Sequence, residues 1–274
     1  MNPDERKGHS MTPIAAFRAS LAAGKQLIGC TVGFSDPLVS DALAASVDFL
    51  WIDLEHSAMS PEALSGHLLA ARAGGKPALV RVPYAGTAFT KPVLDAGADG
   101  IIVPQVRTVE EVRRVVADCR YPPAGTRGFG PRVPSRYGRV PDADVVRAAN
   151  RDLFVAVMIE TREAFESVET IVRVPGLDSV VIGPWDLSGA IGTLGDVTSP
   201  RLMEAAQRIA SAARSAGIFV GAGMGQLPEY ARAMARLGAQ WLQVGGDAGY
   251  LASAVERTMT EVRSLLEAPG GGRT

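Results

Sequence analysis

Eight short runs of apolar, β-branched residues recur along the 274-residue chain, and stretches with helical spacing separate them. Such runs are typical of strands that are buried on both faces of a parallel sheet. The predicted strands cover residues 27–34, 47–53, 78–82, 100–104, 153–159, 179–182, 218–221 and 241–244. The predicted helices cover residues 17–23, 37–45, 61–73, 89–96, 109–119, 142–150, 162–173, 200–216, 227–237 and 249–266.

The alternation of strand and helix predicts a (β/α)8 TIM barrel. The length also suits two domains, but no strong linker divides the chain, so we expect a single barrel domain over residues 14–267. Residues 1–13 are predicted to form a mobile tail, and residues 268–274 a flexible one. The active site of such a barrel lies at the carboxyl ends of the strands, which separates functional polar residues from structural ones.

The composition argues against several classes of partner. The chain is 47% hydrophobic and 21% charged with a net charge of −1, which is ordinary for a globular protein with a large core. It has no long block of like charge and no apolar run of membrane-spanning length, so we expect neither nucleic-acid nor membrane binding. The N-terminus does not resemble a signal peptide, which favours the cytoplasm. The isolated Cys30 and Cys119 predict neither a zinc site nor a disulfide framework.

Two carboxylates follow neighbouring predicted strands. Glu160 ends the run that begins at Val155, and Asp186 lies a few residues past the run that ends at Ile182. Neither run contains a lysine or arginine to pair them, and two such carboxylates suit a hard divalent cation that keeps water positions open. The alternative is that both residues cap helices, although Thr161 is able to cap the next helix unaided.

Three further polar residues are expected at the same end of the barrel. Asp53 ends the second predicted strand and His56 follows closely, so a carboxylate there is able to hold an imidazole in one tautomer and raise its basicity. The alternative for His56 is a solvated loop histidine. Arg81 lies inside an apolar strand, where an unpaired charge is costly, so it is expected to face an anion.

The positions of the remaining histidines and of the lysines argue against some catalytic mechanisms. His67 lies among leucines on a predicted helix and is expected to pack or to lie at the surface rather than to take part in chemistry, and His9 is in the tail. No lysine falls where a Schiff-base lysine of a barrel belongs, so a metal rather than an amine would have to accept electrons from a keto acid. The lysines of the chain are Lys7, Lys25, Lys76 and Lys91.

Three glycine-rich or arginine-rich segments interrupt the pattern. Residues 221–225 and 245–249 follow the last two strands, and either bind phosphate through backbone N–H groups or form plain tight turns. Residues 120–139 form a long irregular loop with five arginines and no acid. Such loops are often functional; the arginines serve acidic acceptors, a subunit interface or only a solvated surface.

Six motifs, taken together and in order, resemble the HpcH/HpaI aldolase family of metal-dependent class II pyruvate aldolases. The family includes 4-hydroxy-2-oxoheptanedioate aldolase and 2-dehydro-3-deoxyglucarate aldolase, and the resemblance extends from about Phe17 to Leu266. The motifs occupy residues 51–57, 80–83, 94–98, 120–128, 159–164 and 183–188.

The resemblance implies a role for each site residue. Glu160 and Asp186 match ligands of Mg²⁺, Mn²⁺ or Co²⁺. His56, held by Asp53, matches a base that works through a metal-bound water, and Arg81 matches the residue that contacts the keto or enolate oxygen. The resemblance also implies that a backbone N–H in the segment Gly183, Pro184 and Trp185 binds the pyruvate carboxylate.

The resemblance also implies an assembly. The family forms homo-oligomers, commonly hexamers built from trimers, in which helices are exchanged between neighbouring barrels. Asp95 matches an acidic residue near the site that also shapes subunit contacts, and Arg127 lies in a family motif.

Two positions depart from the family pattern. Met158 stands where many members have glutamine, and strand alternation points it the same way as Glu160. Trp185 stands where many members have alanine or asparagine, and its indole adds bulk beside Asp186. Both changes make the pocket less polar, so we expect an acceptor that differs from sugar-acid aldehydes.

The resemblance therefore implies a metal-dependent aldolase that cleaves or forms 4-hydroxy-2-keto acids from a 2-keto acid and an aldehyde, through a metal-bound pyruvate enolate. Three alternatives stay open. The first is a lyase of the citrate lyase β or malyl-CoA type that acts on a thioester. The second is a biosynthetic enzyme that uses enolate chemistry, including oxaloacetate decarboxylation, on an unusual acceptor. The third is a barrel that binds a keto acid without catalysis.

Overall fold

A computed structural model describes residues 11–267, which form a closed barrel of eight parallel strands in chain order. Strand β1 pairs with both β2 and β8, which closes the sheet. The predicted (β/α)8 barrel is therefore confirmed. The strands are β1 Leu27–Val32, β2 Phe49–Asp53, β3 Ala78–Arg81, β4 Gly100–Val103, β5 Phe154–Ile159, β6 Ser179–Ile182, β7 Phe219–Met224 and β8 Trp241–Gly246.

Helices cover the outside of the sheet and one end of the barrel. They are α1 Pro13–Ala22, α2 Leu38–Ala44, α3 Pro61–Ala73, α4 Thr87–Asp95, α5 Val109–Cys119, α6 Asp142–Asp152, α7 Arg162–Glu166, α8 Val168–Ile171, α9 Pro184–Ala190, α10 Pro200–Ala216, α11 Pro228–Leu237 and α12 Asp247–Glu267.

Two helix predictions need correction. The single helix predicted over residues 162–173 is divided, because Ser167 leaves the helical conformation between α7 and α8. The short helix α9 was not predicted, because the segment reads as a loop after β6. Pro184 occupies its first position, where the missing N–H costs nothing and the fixed φ angle suits a helix.

The apolar interior has two layers. Side chains between the sheet and the helices form the larger layer, which includes the regularly spaced Val112, Val115 and Val116 of α5. Side chains that point into the barrel form the second layer, and α1 closes it from the amino-terminal end. Phe17 of α1 packs edge-on against the first residues of two strands, with ring centroids 5.5 Å from both Phe49 and Phe154.

The irregular segment predicted over residues 120–139 is confirmed, since only turns and bends connect α5 to α6. Residues 1–10 and 268–274 lie outside the described residues, so most of the first predicted tail and all of the second lie there too. Helix α1 begins at Pro13, which is the last residue of the predicted tail. Among the described helices, none combines the length and the apolar character that crossing a membrane requires.

The packing of Phe17 at the amino-terminal end of the barrel predicts that this side chain stabilises the fold. We expect Phe17→Ala to lower the free energy of unfolding by about 3 kcal/mol or more, because it leaves a cavity between aromatic rings. Urea denaturation measures the change. Leu194→Ala, at a side chain that is 81% exposed, is the matched control and should have little effect. Equal stability of the two variants would contradict the plugging role of α1.

Candidate active site

A cavity of about 780 Å³ opens at the carboxyl ends of the strands. Its wall combines the predicted polar residues with residues contributed by β7, β8 and β1. The barrel therefore brings together side chains that are more than 100 residues apart in sequence, such as His56 and Asp186. From the predicted set, the lining includes His56, Arg81, Met158, Glu160, Gly183, Pro184, Trp185 and Asp186.

Glu160 is the first residue after β5 and is only 3% exposed. Its Oε1 accepts a hydrogen bond of 2.8 Å from the backbone N–H of Gln105. Gln105 has a φ angle of 55°, which is a costly conformation for a residue other than glycine. Thr161 caps α7 with its own hydroxyl, so the alternative of Glu160 as the cap is wrong.

Asp186 reaches the cavity from the first turn of α9. The turn from β6 into this helix passes so close to Glu160 that a Cβ atom on Gly183 would overlap Glu160 Oε2 and lie 3.0 Å from Met158 Cε. This position therefore requires glycine, because the backbone passes close to the side chains of Glu160 and Met158. The backbone before Asp186 is pressed against Glu160, and the two carboxylates share the cavity.

The electrostatics of this pair favour a cation. Burial, together with the charges of Asp186 and Glu55, raises the pKa of Glu160 to about 7, against the opposing effects of the Gln105 hydrogen bond and Arg81. A buried carboxylate with acidic neighbours is stabilised in its charged form by a bound positive ion. The oxygen donors of Glu160 and Asp186 suit Mg²⁺, which is often held by one or two carboxylates and water. The residues present therefore fit a divalent metal.

Arg81, the last residue of β3, forms the centre of an ion-pair network. Its Nε and Nη2 donate to the two carboxylate oxygens of Asp53 at 2.9 and 2.6 Å, and its Nη1 lies 2.9 Å from Glu55 Oε2. The prediction that Arg81 faces an anion is confirmed. Such a bidentate arginine–carboxylate pair is geometrically specific and stronger than a hydrogen bond between neutral groups.

The predicted partner of His56 needs correction. The carboxylate of Asp53 is taken up by Arg81 and by backbone N–H groups, including that of His56 at 3.4 Å. The imidazole instead lies beside Glu55, with 3.6 Å between His56 Nε2 and Glu55 Oε2. Asp53 therefore shapes the loop that carries His56 but does not hold its ring. The ring is 65% exposed and lines the cavity.

Glu55 is a site residue that sequence reasoning missed. It links Arg81 and His56, and burial raises its pKa, while Arg81 lowers it. The signal was its position directly before His56, at a strand end. Further cavity residues were not singled out as site residues, because none of their side chains is charged. They include Thr31, Trp51, Met224, Gln226 and Gln243.

Asp95 and Arg127 lie away from this cavity within one chain. Arg127 Nη2 donates to Asp95 Oδ1 at 2.7 Å, and its guanidinium stacks 4.5 Å from the ring centroid of Tyr121. Asp95 ends α4, which leads back to the amino-terminal end of β4. The expectation that Asp95 lies near the site is therefore not met within a single chain.

Two other predictions concern residues outside the acidic cluster. His67 is fully buried and its Nδ1 shares a hydrogen bond of 2.8 Å with Ser40, so the packing prediction is confirmed. The glycine-rich segments 221–225 and 245–249 both contribute to the cavity wall. Asp247 starts α12 there and accepts from the backbone N–H groups of Gly33 and Phe34. Its negative charge disfavours a phosphate at this helix start.

A (β/α)8 barrel with the buried Glu160, the exposed Asp186, an arginine and a histidine at the carboxyl ends of its strands defines a lyase-type enzyme site. The chain belongs to the HpcH/HpaI aldolase/citrate lyase family, whose model matches residues 31–254. The predicted family and the aldolase class of the enzyme are confirmed.

Individual relatives are similar over most of the chain. The hydroxypyruvate/pyruvate aldolase of Roseovarius nubinhibens is 35% identical over 92% of this chain and 98% of its own. The 4-hydroxy-2-oxo-heptane-1,7-dioate aldolase of Salmonella paratyphi C is 36% identical over 88% and 92%. The crystal structure of an HpcH/HpaI aldolase from Desulfitobacterium hafniense DCB-2 has a TM-score of 0.84 and 29% identity, covering 93% and 98%.

The raised pKa of Glu160 predicts a pH-dependent stability without metal. Between its ordinary value of 4.5 and about 7, the folded protein holds a proton that the unfolded chain has released. Stability should therefore fall as the pH rises through this window. Relative to wild type, Glu160→Gln should gain roughly 3 kcal/mol between pH 4 and pH 8. Denaturation with EDTA present measures this.

The matched control is Glu163→Gln, which changes an exposed glutamate three residues away. Its stability difference from wild type should not rise in this way. If the two variants show the same pH dependence, the buried environment assigned to Glu160 is wrong.

Proposed function

We propose that the protein is a divalent-metal-dependent aldolase that cleaves or forms 4-hydroxy-2-keto acids at this cavity. The buried Glu160 and the more exposed Asp186, which line the same cavity, carry the proposal, because a bound cation would stabilise the charged form of Glu160. The names of the relatives from Roseovarius nubinhibens and Salmonella paratyphi C support a keto-acid substrate. Mg²⁺, Mn²⁺ and Co²⁺ are the proposed metals, held by Glu160 and Asp186.

A bound divalent ion supplies a Lewis acid that polarises a keto oxygen. The protein's own groups then bind and orient the keto acid. We assign its carboxylate to the segment Gly183, Pro184 and Trp185, which lies beside Asp186 in the cavity wall. Arg81 stabilises the charge that develops on the keto oxygen as cleavage yields the pyruvate enolate. Asp53 and Glu55 hold its guanidinium in place.

We assign His56 as the base. In cleavage it takes the proton of the 4-hydroxyl, the bond between C3 and C4 breaks, and its electrons form the enolate of pyruvate. An aldehyde leaves, and the proton returns to C3 of the enolate. Glu55 lies beside the ring, 3.6 Å from its Nε2, and is placed to orient it. Condensation follows the same steps in reverse.

One observation favours a second candidate, a biosynthetic enzyme that generates the same enolate from oxaloacetate by loss of CO2. The cavity is large for a three-carbon keto acid, and Met158 and Trp185 give it apolar walls. Such a site suits an unusual acceptor. The release of pyruvate from oxaloacetate separates this candidate from a thioester lyase, which would require an acyl-CoA substrate.

We also propose that the chain forms a homo-oligomer, a trimer or hexamer, with helix exchange between subunits. Along α12, a row of apolar side chains is exposed within the single chain. A neighbouring barrel would cover them and remove the apolar surface from water. The exposed residues are Leu251, Val255, Met259, Val262, Leu265 and Leu266.

The first experiment measures pyruvate release from a panel of 4-hydroxy-2-keto acids and from oxaloacetate, with EDTA or with added Mg²⁺ or Mn²⁺. We expect release that requires metal. His56→Ala should lower turnover about 100-fold or more, because general base catalysis is lost. This variant should keep the thermal stabilisation by Mn²⁺, whereas Glu160→Gln should lose it.

Release that is unaffected by EDTA would refute the metal role. Near-normal turnover of His56→Ala with metal present would refute the base. An absence of both release and metal binding would overturn the assignment of Glu160 and Asp186.

The oligomer is tested by sedimentation of a Leu251→Asp, Val255→Asp double variant of α12. We expect the wild-type protein to sediment as a trimer or hexamer and the variant as smaller species, because charges would be buried at the interface. Glu256→Ala, on the same helix, is the control and should leave the assembly intact. A monomeric wild-type protein would contradict the proposal.

A further inference from the structure

We propose that the aldehyde-binding part of this cavity is built for an uncharged aldehyde with an apolar or aromatic substituent, and not for an acidic one. This inference rests on the proposed aldolase function and adds the class of acceptor. The part in question is the wall formed by the ends of β7, β8 and β1 together with Trp185, and we call it the acceptor wall.

The position of the acceptor wall follows from the barrel's geometry. The groups assigned to chemistry follow β2, β3, β5 and β6, so they occupy one side of the cavity. The volume of about 780 Å³ lies in the range of roughly 300–1,000 Å³ that holds drug-sized ligands. A keto acid of three carbons leaves much of this volume free. An acceptor's substituent would fill the remaining side, along β7, β8 and β1.

The acceptor wall offers no positive charge to an acid. Among the described residues that line the cavity, Arg81 is the only lysine or arginine, and Asp53 and Glu55 already engage three of its nitrogens. Glu160 and Asp186 add negative charge to the opposite side. A second carboxylate on the acceptor would lose its hydration without gaining a cation, which is costly.

The two glutamine side chains of the acceptor wall already form hydrogen bonds that hold the loops. Gln243 accepts a 3.0 Å hydrogen bond from the backbone N–H of Met224 and donates to the carbonyl of Gly245. Gln226 accepts from Ser253 at 3.2 Å. These amides therefore have less capacity to recognise hydroxyl groups of a sugar-like acceptor.

The remaining surface is apolar and smooth. Beside the acceptor wall, Met158 lines the cavity from β5 with a buried thioether side chain, which adapts to irregular shapes and contacts aromatic rings favourably. Trp185 is 50% exposed at the cavity and offers an aromatic face. Gly223 and Gly225 add backbone without side chains, which leaves room for a broad substituent. Together these surfaces match an aromatic or branched aldehyde.

The test uses condensation of pyruvate with matched aldehydes in the wild-type holoenzyme. The pairs are benzaldehyde with 4-carboxybenzaldehyde, and butanal with succinic semialdehyde. In each, a bond forms between C3 of pyruvate and the aldehyde carbon, and the proton lost from the methyl group ends on the new hydroxyl. We expect kcat/KM to favour the neutral member at least tenfold. Equal values, or a preference for the acid, would overturn the inference.

Gly225 permits a gain-of-function variant, because a Cβ atom there meets nothing within 4 Å. Gly225→Lys should shift the ratio of acidic to neutral acceptor at least tenfold toward the acid, because it introduces a cation into the acceptor wall. Gly225→Gln is the neutral control and should not shift it. A shift in both variants, or in neither, would contradict the charge argument.

Variants of Trp185 and of the neighbouring cavity residue Met158 test the apolar half of the inference. Trp185→Ala and Met158→Gln should each lower kcat/KM for benzaldehyde about tenfold more than for acetaldehyde, which is too small to reach the whole wall. An unchanged aldehyde preference in both variants would overturn the assignment.

Exchange of the pyruvate methyl protons with D2O, followed by NMR without any aldehyde, separates this inference from the proposed function. Metal-dependent exchange together with a preference for acids would refute the acceptor class alone. A lack of exchange, and of condensation with any aldehyde, would refute the aldolase function and the inference with it.

Discussion

The ion-pair network of Arg81 with Asp53 and Glu55 is the interaction on which the rest of the site depends. Asp53 and Arg81 lie directly opposite each other in the register of β2 and β3, so their side chains meet where the two strands end. Asp53 and Glu55 would otherwise lie close together at the ends of the strands without a counter-charge. Removing one partner of such a buried pair is far more damaging than replacing both, because it leaves an uncompensated charge.

This network also explains why two pairs of carboxylates at one cavity behave differently. Asp53 and Glu55 are ion-paired with the protein's own arginine, whereas Glu160 and Asp186 lack an ion-pair partner among the described residues. The second pair is therefore the one that can hold the proposed metal. One arginine thereby divides four acids into a set that holds the catalytic loop and a set that suits a metal.

The barrel supplies the rigidity that this division requires. Phe17 and the inward-facing aromatic residues fill the amino-terminal half, so the strands cannot shift without breaking close packing. The carboxyl ends then carry the polar groups on short turns, and Gly183 lets the turn after β6 pass against Glu160. Stability and chemistry occupy opposite ends of the same strands.

Much of this was predictable from local pattern alone. The eight apolar runs specify the strands, and the polar residues that end them, Glu160 and Arg81 among them, specify which end is functional. The sequence by itself therefore determined the fold, the family and the acidic pair. Only the tertiary structure decided that Arg81 forms an ion pair with Asp53 and that Glu55 lies beside His56. It also decided that Asp95 pairs with Arg127 away from the cavity. The reason is physical: strand periodicity shows which face a side chain lies on, whereas partners depend on register between strands and on loop geometry, which no single segment encodes.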